Sequence, residues 1–139
     1  MQTSTLIDLE RQIDAPASSV FEAISRGELC KATGIVAETF EHDFRAGGNY
    51  RLEWRSGGKC AGRYLEIIPR TLIAFSWNST DCDSATNKDT RVTVSLLDQQ
   101  QGCTLRLTHE GLDEGFSHAD HLNGWTSSLD DFQESVRKA

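Results

Sequence analysis

The residues of this chain that could move a proton, or hold an aromatic molecule, form two small sets. His109, Tyr64 and Glu66 belong to the first. A histidine serves as general base only when a substrate proton lies within hydrogen-bond reach and a neighbour orients the ring. His109 follows Leu105 and Leu107 at two-residue spacing, which predicts a strand and puts the imidazole at the edge of whatever the leucines line. Without a substrate it is simply a histidine bonded to a neighbouring loop. Tyr64 and Glu66 stand two apart in an extended run, so they are expected to share one face, with Leu65 and Ile67 on the other. If that face points inward, the Glu66 carboxylate needs a donor. If it points outward, it is ordinary surface. The second set is mostly aromatic: Tyr50, Leu52 and Trp54 on one strand face, Phe75 and Trp77 on another, and Trp125 with Leu129 on a helix. Core packing accounts for each of these singly. Rings converging from three elements can also line a pocket for an apolar or aromatic small molecule, with His109 at its edge.

Other chemistries lack their signatures. There is no G-x-S-x-G elbow, P-loop or G-x-G-x-x-G run, so no activated nucleophile and no cofactor is expected. His118 and His121 are three apart, and His109 could join them. Without H-E-x-x-H or paired cysteines, however, no metal site is expected. Gly47, Gly48, Gly57 and Gly58 read as turn residues. The net charge of −7 repels phosphate backbones and anionic lipid, which argues against nucleic-acid and membrane partners. Arg51, Arg55, Lys59 and Arg63, interrupted by Glu53, read as the wet face of a hairpin. The four cysteines, Cys30, Cys60, Cys82 and Cys103, show no CxxC spacing in a 139-residue chain large enough to fold without staples. The first residues lack the pattern of a signal peptide, and no apolar run reaches membrane length. These features predict one domain over residues 1–139, cytoplasmic, with reduced thiols.

The elements that must position these side chains follow from hydrophobic period. Within 117–138, His118, Leu122, Trp125, Leu129, Phe132 and Val136 recur in steps of three and four, the period of one helix face. Ser117 and Asp120 suit its first turn, and Arg137 and Lys138 its last. Upstream, 6–13 reads as a strand, and Pro16 suits the start of a short helix carrying Val20, Phe21 and Ile24. A second helical turn is expected at 28–33. From Val36 the period is two: Val36, Glu38, Phe40 and His42, then Tyr50, Leu52 and Trp54, then 60–68 up to Pro69, then Ile73, Phe75 and Trp77. Residues 78–89 are polar and aperiodic, which predicts a mobile loop over the mouth of a pocket. Val92, Val94 and Leu96 and then Leu105, Leu107 and His109 complete the strands. The fold class is α+β: a curved antiparallel sheet wrapped around one long C-terminal helix, with two short helices after the first strand.

Four stretches in this order resemble one family. Residues 11–16 with Val20-Phe21-Glu22-Ala23 resemble the opening of START/Bet v1-like (SRPBCC) helix-grip domains. Phe44-Arg45-Ala46-Gly47-Gly48-Asn49-Tyr50-Arg51 resembles the hairpin of the subgroup related to activators of the Hsp90 ATPase. Gly62-Arg63-Tyr64-Leu65-Glu66-Ile67-Ile68-Pro69 resembles that subgroup's next strand. Leu107-Thr108-His109-Glu110-Gly111-Leu112 with Gly124-Trp125 resembles its closing pattern. The resemblance implies a helix-grip fold and a cavity between sheet and helix. It offers three functions: a carrier of a hydrophobic small molecule, a cyclase- or hydrolase-type enzyme, or a module that contacts a chaperone or another protein as monomer or homodimer. Fold alone does not choose among them.

Overall fold

The computed structural model describes residues 6–31, 37–55, 57–82, 85–113 and 116–138. Strand β1 (Ile7–Ile13) leads into helix α1 (Ala17–Ser25) and a single helical turn, α2 (Glu28–Lys31). Strands β2 (Ala37–His42), β3 (Asn49–Trp54), β4 (Lys59–Ile68), β5 (Leu72–Thr80), β6 (Thr90–Gln99) and β7 (Gly102–Glu110) follow, and helix α3 (Phe116–Lys138) closes the fold. The seven strands form one antiparallel sheet in the order β1-β7-β6-β5-β4-β3-β2. Each strand from β2 to β7 pairs with its chain neighbour, and β1 closes against β7, so β1 and β2 are the two edges. This is the curved sheet and long helix that the sequence predicts.

Alternation within the strands decides what faces α3. Ile73, Phe75 and Trp77 of β5, Val92, Val94 and Leu96 of β6, and Cys103, Leu105, Leu107 and His109 of β7 are all buried. Trp125, Leu129, Phe132 and Val136 of α3 are buried as well, the stripe expected from their spacing. The helix backbone lies closest to β1, α2 and α1. Helix α1 starts one residue later than Pro16 suggests. Pro16 is the extended N-cap, and the first helical N–H, that of buried Ala17, donates 2.8 Å to the carboxylate of Asp98 on β6.

Two expectations change. The predicted strand phase from Cys60 to Ile68 assumes unbroken alternation, but β4 carries a bulge. Tyr64 pairs with Phe75 while Glu66 pairs with Ala74, so Leu65 is an extra residue and the faces swap there. Tyr64 therefore points into the core and Glu66 points out to solvent. Second, residues 78–89 are not one loop. Strand β5 runs on to Thr80, and the far end of the connection is tied back to it. Thr86 and Ser79 are buried together, with Ser79 N–H donating 2.9 Å to Thr86 Oγ1 and Thr86 N–H donating 3.0 Å to Ser79 Oγ. Asn78 bonds Asp89, and Lys88 pairs with Asp113.

Cys60, Cys82 and Cys103 are free thiols. The side chains of Cys30 and Ser117, the start of the second strand run at Val36, the second helical turn beyond Lys31 and the turn residue Ser56 lie outside the described residues. Arg51, Arg55, Lys59 and Arg63 are exposed, as a hairpin's wet face should be. No helix among the described residues is long and apolar enough to cross a membrane.

Candidate functional site

Two polar constellations sit within the apolar interior, and their chemistry differs. The first is built on His109. It is completely buried, and both ring nitrogens are engaged. The indole N–H of Trp125 donates 3.0 Å to Nδ1. An indole nitrogen can only donate, so Nδ1 is an acceptor and the proton resides on Nε2. Nε2 lies 2.7 Å from Thr90 Oγ1, whose own hydroxyl hydrogen is given to the carbonyl of Trp77 at 2.7 Å. The direction of the chain is thus fixed: Trp125 to His109, His109 to Thr90, Thr90 to the backbone of β5. Burial above all, and then the nearby His121 and His118, push the His109 pKa down to about 3. This imidazole is neutral, with no acceptor left for a substrate proton. Its hydrogen bonds join α3 to the sheet.

Around it the rings pack closely. Trp77 lies 5.1 Å from Trp125, 6.2 Å from Trp54 and 5.9 Å from His109, centroid to centroid. The Trp77 indole N–H donates 3.3 Å to His121 Nε2. Two buried polar atoms on α3, His118 Nε2 and Ser128 Oγ, have no hydrogen-bond partner among the described residues. No group of three His, Cys, Asp or Glu side chains among those residues is placed to hold a metal ion.

The second constellation lies towards the opposite edge. Tyr64 Oη is 2.7 Å from Nδ1 of His42 on edge strand β2. Cross-strand register explains the meeting. His42 pairs with Tyr50, and Tyr50 pairs with Gly62, two residues before Tyr64. A Cβ on Gly62 would sit 2.7 Å from the Tyr50 ring and 2.1 Å from the Ser76 carbonyl, so the glycine lets Tyr50 lie across β4. Tyr50 then donates 2.6 Å to Ser76 O. The His42 ring is 4.8 Å from Phe40 and 5.8 Å from Phe44, and Phe44 is 5.0 Å from Tyr64. Phe21 of α1 meets Phe44 edge-on at 5.8 Å. Tyr64 is buried, whereas His42, Phe40, Phe44 and Phe21 are half-buried.

Of the residues singled out in the sequence, Tyr50, Leu52, Phe75, Trp77, His109, Trp125 and Leu129 are closed core, and Trp54 alone is half-buried. Tyr64 is brought to a polar partner, and Glu66 is not. Sequence reasoning missed His42 and Thr90. The signal for His42 was present: it shares the inward face of its strand with Phe40. The signal for Thr90 was not, because its role depends on a residue 19 positions away.

A long C-terminal helix held against a seven-stranded antiparallel sheet defines a helix-grip protein. The family model described as "Activator of Hsp90 ATPase homolog 1-like protein" matches residues 14–137, and the chain belongs to that family. Among solved structures it is similar to protein CV1439 from Chromobacterium violaceum, at 30% identity over 96% of this chain and 97% of that one, with a TM-score of 0.76. CalU16 from Micromonospora echinospora shares 23% identity over 95% of this chain and 74% of its own, with a TM-score of 0.75. The Aha1 dimer from Colwellia psychrerythraea shares the fold at 14% identity, over 95% and 96% of the two chains, with a TM-score of 0.78. No curated protein matches the chain.

Proposed function

We propose that this protein binds an apolar, aromatic small molecule on the concave face of the sheet, at the flank formed by β2 and β3. One observation carries the reading. Phe40 and Phe44, with Trp54 on β3 and Phe21 on α1, pack against the core yet remain only half-buried. They lie towards the β2 edge, while the backbone of α3 runs nearest β1 at the other edge. Buried Tyr50, Leu52 and Phe75 make the floor beneath them. A concave apolar surface with a few polar groups is the usual form of a small-molecule site. Trp77 and Trp125 are closed off, so Trp54 is the indole that a ligand would reach. Planar aromatic compounds should therefore change the fluorescence of Trp54 and raise the melting temperature. A Trp54→Phe variant should lose the fluorescence response. No thermal shift from any compound, or a response undiminished in the variant, would overturn the assignment.

A second reading has its own observation. On the outer face, Leu65 and Ile68 of β4 are exposed, and Ile68 pairs with half-buried Leu72 of β5. An exposed apolar patch of this kind suits a protein partner, either a second copy of the chain or a chaperone of the kind named in the family's description. Sedimentation of the wild type beside Ile68→Lys, and the ATPase rate of Hsp90 with and without the protein, test it. A monomer that leaves that rate unchanged removes this reading.

A further inference from the structure

We propose that the outer face of the sheet pairs with a second copy of this chain about a two-fold axis that crosses β4 at Ile68, setting Glu66 of each copy against Arg70 of the other. The inference rests on the outer-face reading above and names its partner. Leu65, Ile68 and Leu97 are exposed and gather at one end of that face. Leu6, the other exposed large hydrophobic among the described residues, lies apart from them, just before edge strand β1. Ile68 pairs with Leu72, Leu72 pairs with Ser95, and Leu97 stands two residues beyond Ser95 on the same face of β6. An apolar row thus runs across three neighbouring strands, with the bulge residue Leu65 further along β4.

Opposite charges flank that row. Glu66 is exposed two residues before Ile68, and Arg70 is exposed two residues after it, in the turn to β5. Neither has an ion-pair partner among the described residues, unlike Arg51 and Arg106, which pair with Glu41 and Asp8. Arg70 also holds a φ of 64°, a conformation that glycine or asparagine takes at lower cost. An unpaired charge at a strained position points to use outside the chain. The symmetry follows from the order of these residues. Two copies of one face meet only through an axis lying in the interface. An axis along β4 would set Glu66 against Glu66 and Arg70 against Arg70. An axis across β4 at Ile68 runs the two strands antiparallel, stacks Ile68 and Leu72 on their own copies, and joins acid to base twice. Packed sheets stand about 10 Å apart, a gap that glutamate and arginine side chains bridge together. An order of acid, apolar, base is complementary to its own reverse, and a second copy supplies that reverse.

Sedimentation equilibrium over a series of protein concentrations tests the pairing on wild type, Glu66→Arg, Arg70→Glu and an equal mixture of the two variants. Both positions are exposed, so the fold should tolerate either change, and the melting temperature in dilute solution checks this. Wild type should dimerise reversibly. Each variant alone should dimerise about tenfold more weakly or worse, because symmetry sets like charges together at two places. The mixture should recover wild-type dimerisation, since each variant then meets the charge that its own copy lacks. Wild type that stays monomeric would overturn the inference, and so would a mixture no tighter than the separate variants. In either case the outer-face reading stands if Ile68→Lys abolishes a dimer formed by wild type or an effect of the protein on the Hsp90 ATPase rate. It falls if Ile68→Lys changes neither.

Discussion

Protonating His109 would place a new N–H at Nδ1 directly against the indole N–H of Trp125, donor against donor, in a site without water-exposed surface. Burial above all, and then the nearby His121 and His118, push its pKa down to about 3, and the donor conflict acts in the same direction. The consequence for stability has a definite sign. An unfolded histidine titrates at about 6.5. Above that pH both states are neutral at this position and the full stability is present. As pH falls below 6.5 the unfolded chain binds a proton that the folded chain refuses, so stability declines until the folded pKa is reached. Between pH 7 and pH 5 this one residue should cost about 2 kcal/mol. Urea unfolding of wild type and His109→Phe at the two pH values measures it. The variant should start less stable, because Trp125 and Thr90 lose their partner, but show a shallower decline with acid. Parallel declines would mean that the imidazole is not held neutral.

At the scale of elements, α3 and the sheet are joined by packing, by that hydrogen-bonded chain and by further bonds such as Trp77 to His121 and Arg11 to Asp130. Trp125→Ala should cost about 3–5 kcal/mol, the usual loss for a buried large aromatic. Trp125→Phe, which keeps most of the ring and removes the donor, should cost about 1–3 kcal/mol by leaving Nδ1 unpaired. A denaturation midpoint unchanged by the alanine substitution would contradict the packing of this face. Gly62 is the other element-level constraint. Gly62→Ala should strongly destabilise the protein, because the added methyl meets backbone at Ser76 and the Tyr50 ring together. Wild-type stability in that variant would show that β4 and β5 are not held as described. The elements themselves were legible in the sequence because each has a period: steps of three and four from Leu122 to Val136, and steps of two through Tyr50-Leu52-Trp54 and Ile73-Phe75-Trp77. The bulge at Leu65 was not legible. A single inserted residue leaves no periodic trace, and its effect, turning Tyr64 in and Glu66 out, is set by the strand alongside. The polar run from Asn78 onwards misled for a related reason. Ser79 and Thr86 look like loop residues by type but satisfy one another in the interior. The site was half legible. Its rings could be listed, but whether each became floor, rim or closed core depended on pairings such as His42 with Tyr50 and Trp125 with His109.

For the molecule as a whole, the two functional readings act on stability through different variables. A ligand that binds only the folded state adds RT ln(1 + [L]/Kd), about 2.7 kcal/mol when present at one hundred times its dissociation constant. For a chain of this size that corresponds to a rise in melting temperature of roughly 10 °C. Self-association through the outer face at Leu65 and Ile68 would instead make the melting temperature rise with protein concentration, because the dimer is favoured by mass action. The concave face and the outer face lie on opposite sides of one sheet, so each variable can be changed without touching the other. With a planar aromatic probe such as naphthalene the melting temperature of wild type should rise as the logarithm of ligand concentration once the site is saturated. The rise should be the same at low and high protein concentration. Ile68→Lys should leave it unaltered, whereas Phe40→Ser, which removes a ring of the flank and exposes Tyr50 beside it, should abolish it. A rise that follows protein concentration and vanishes in Ile68→Lys would transfer the function to the outer face.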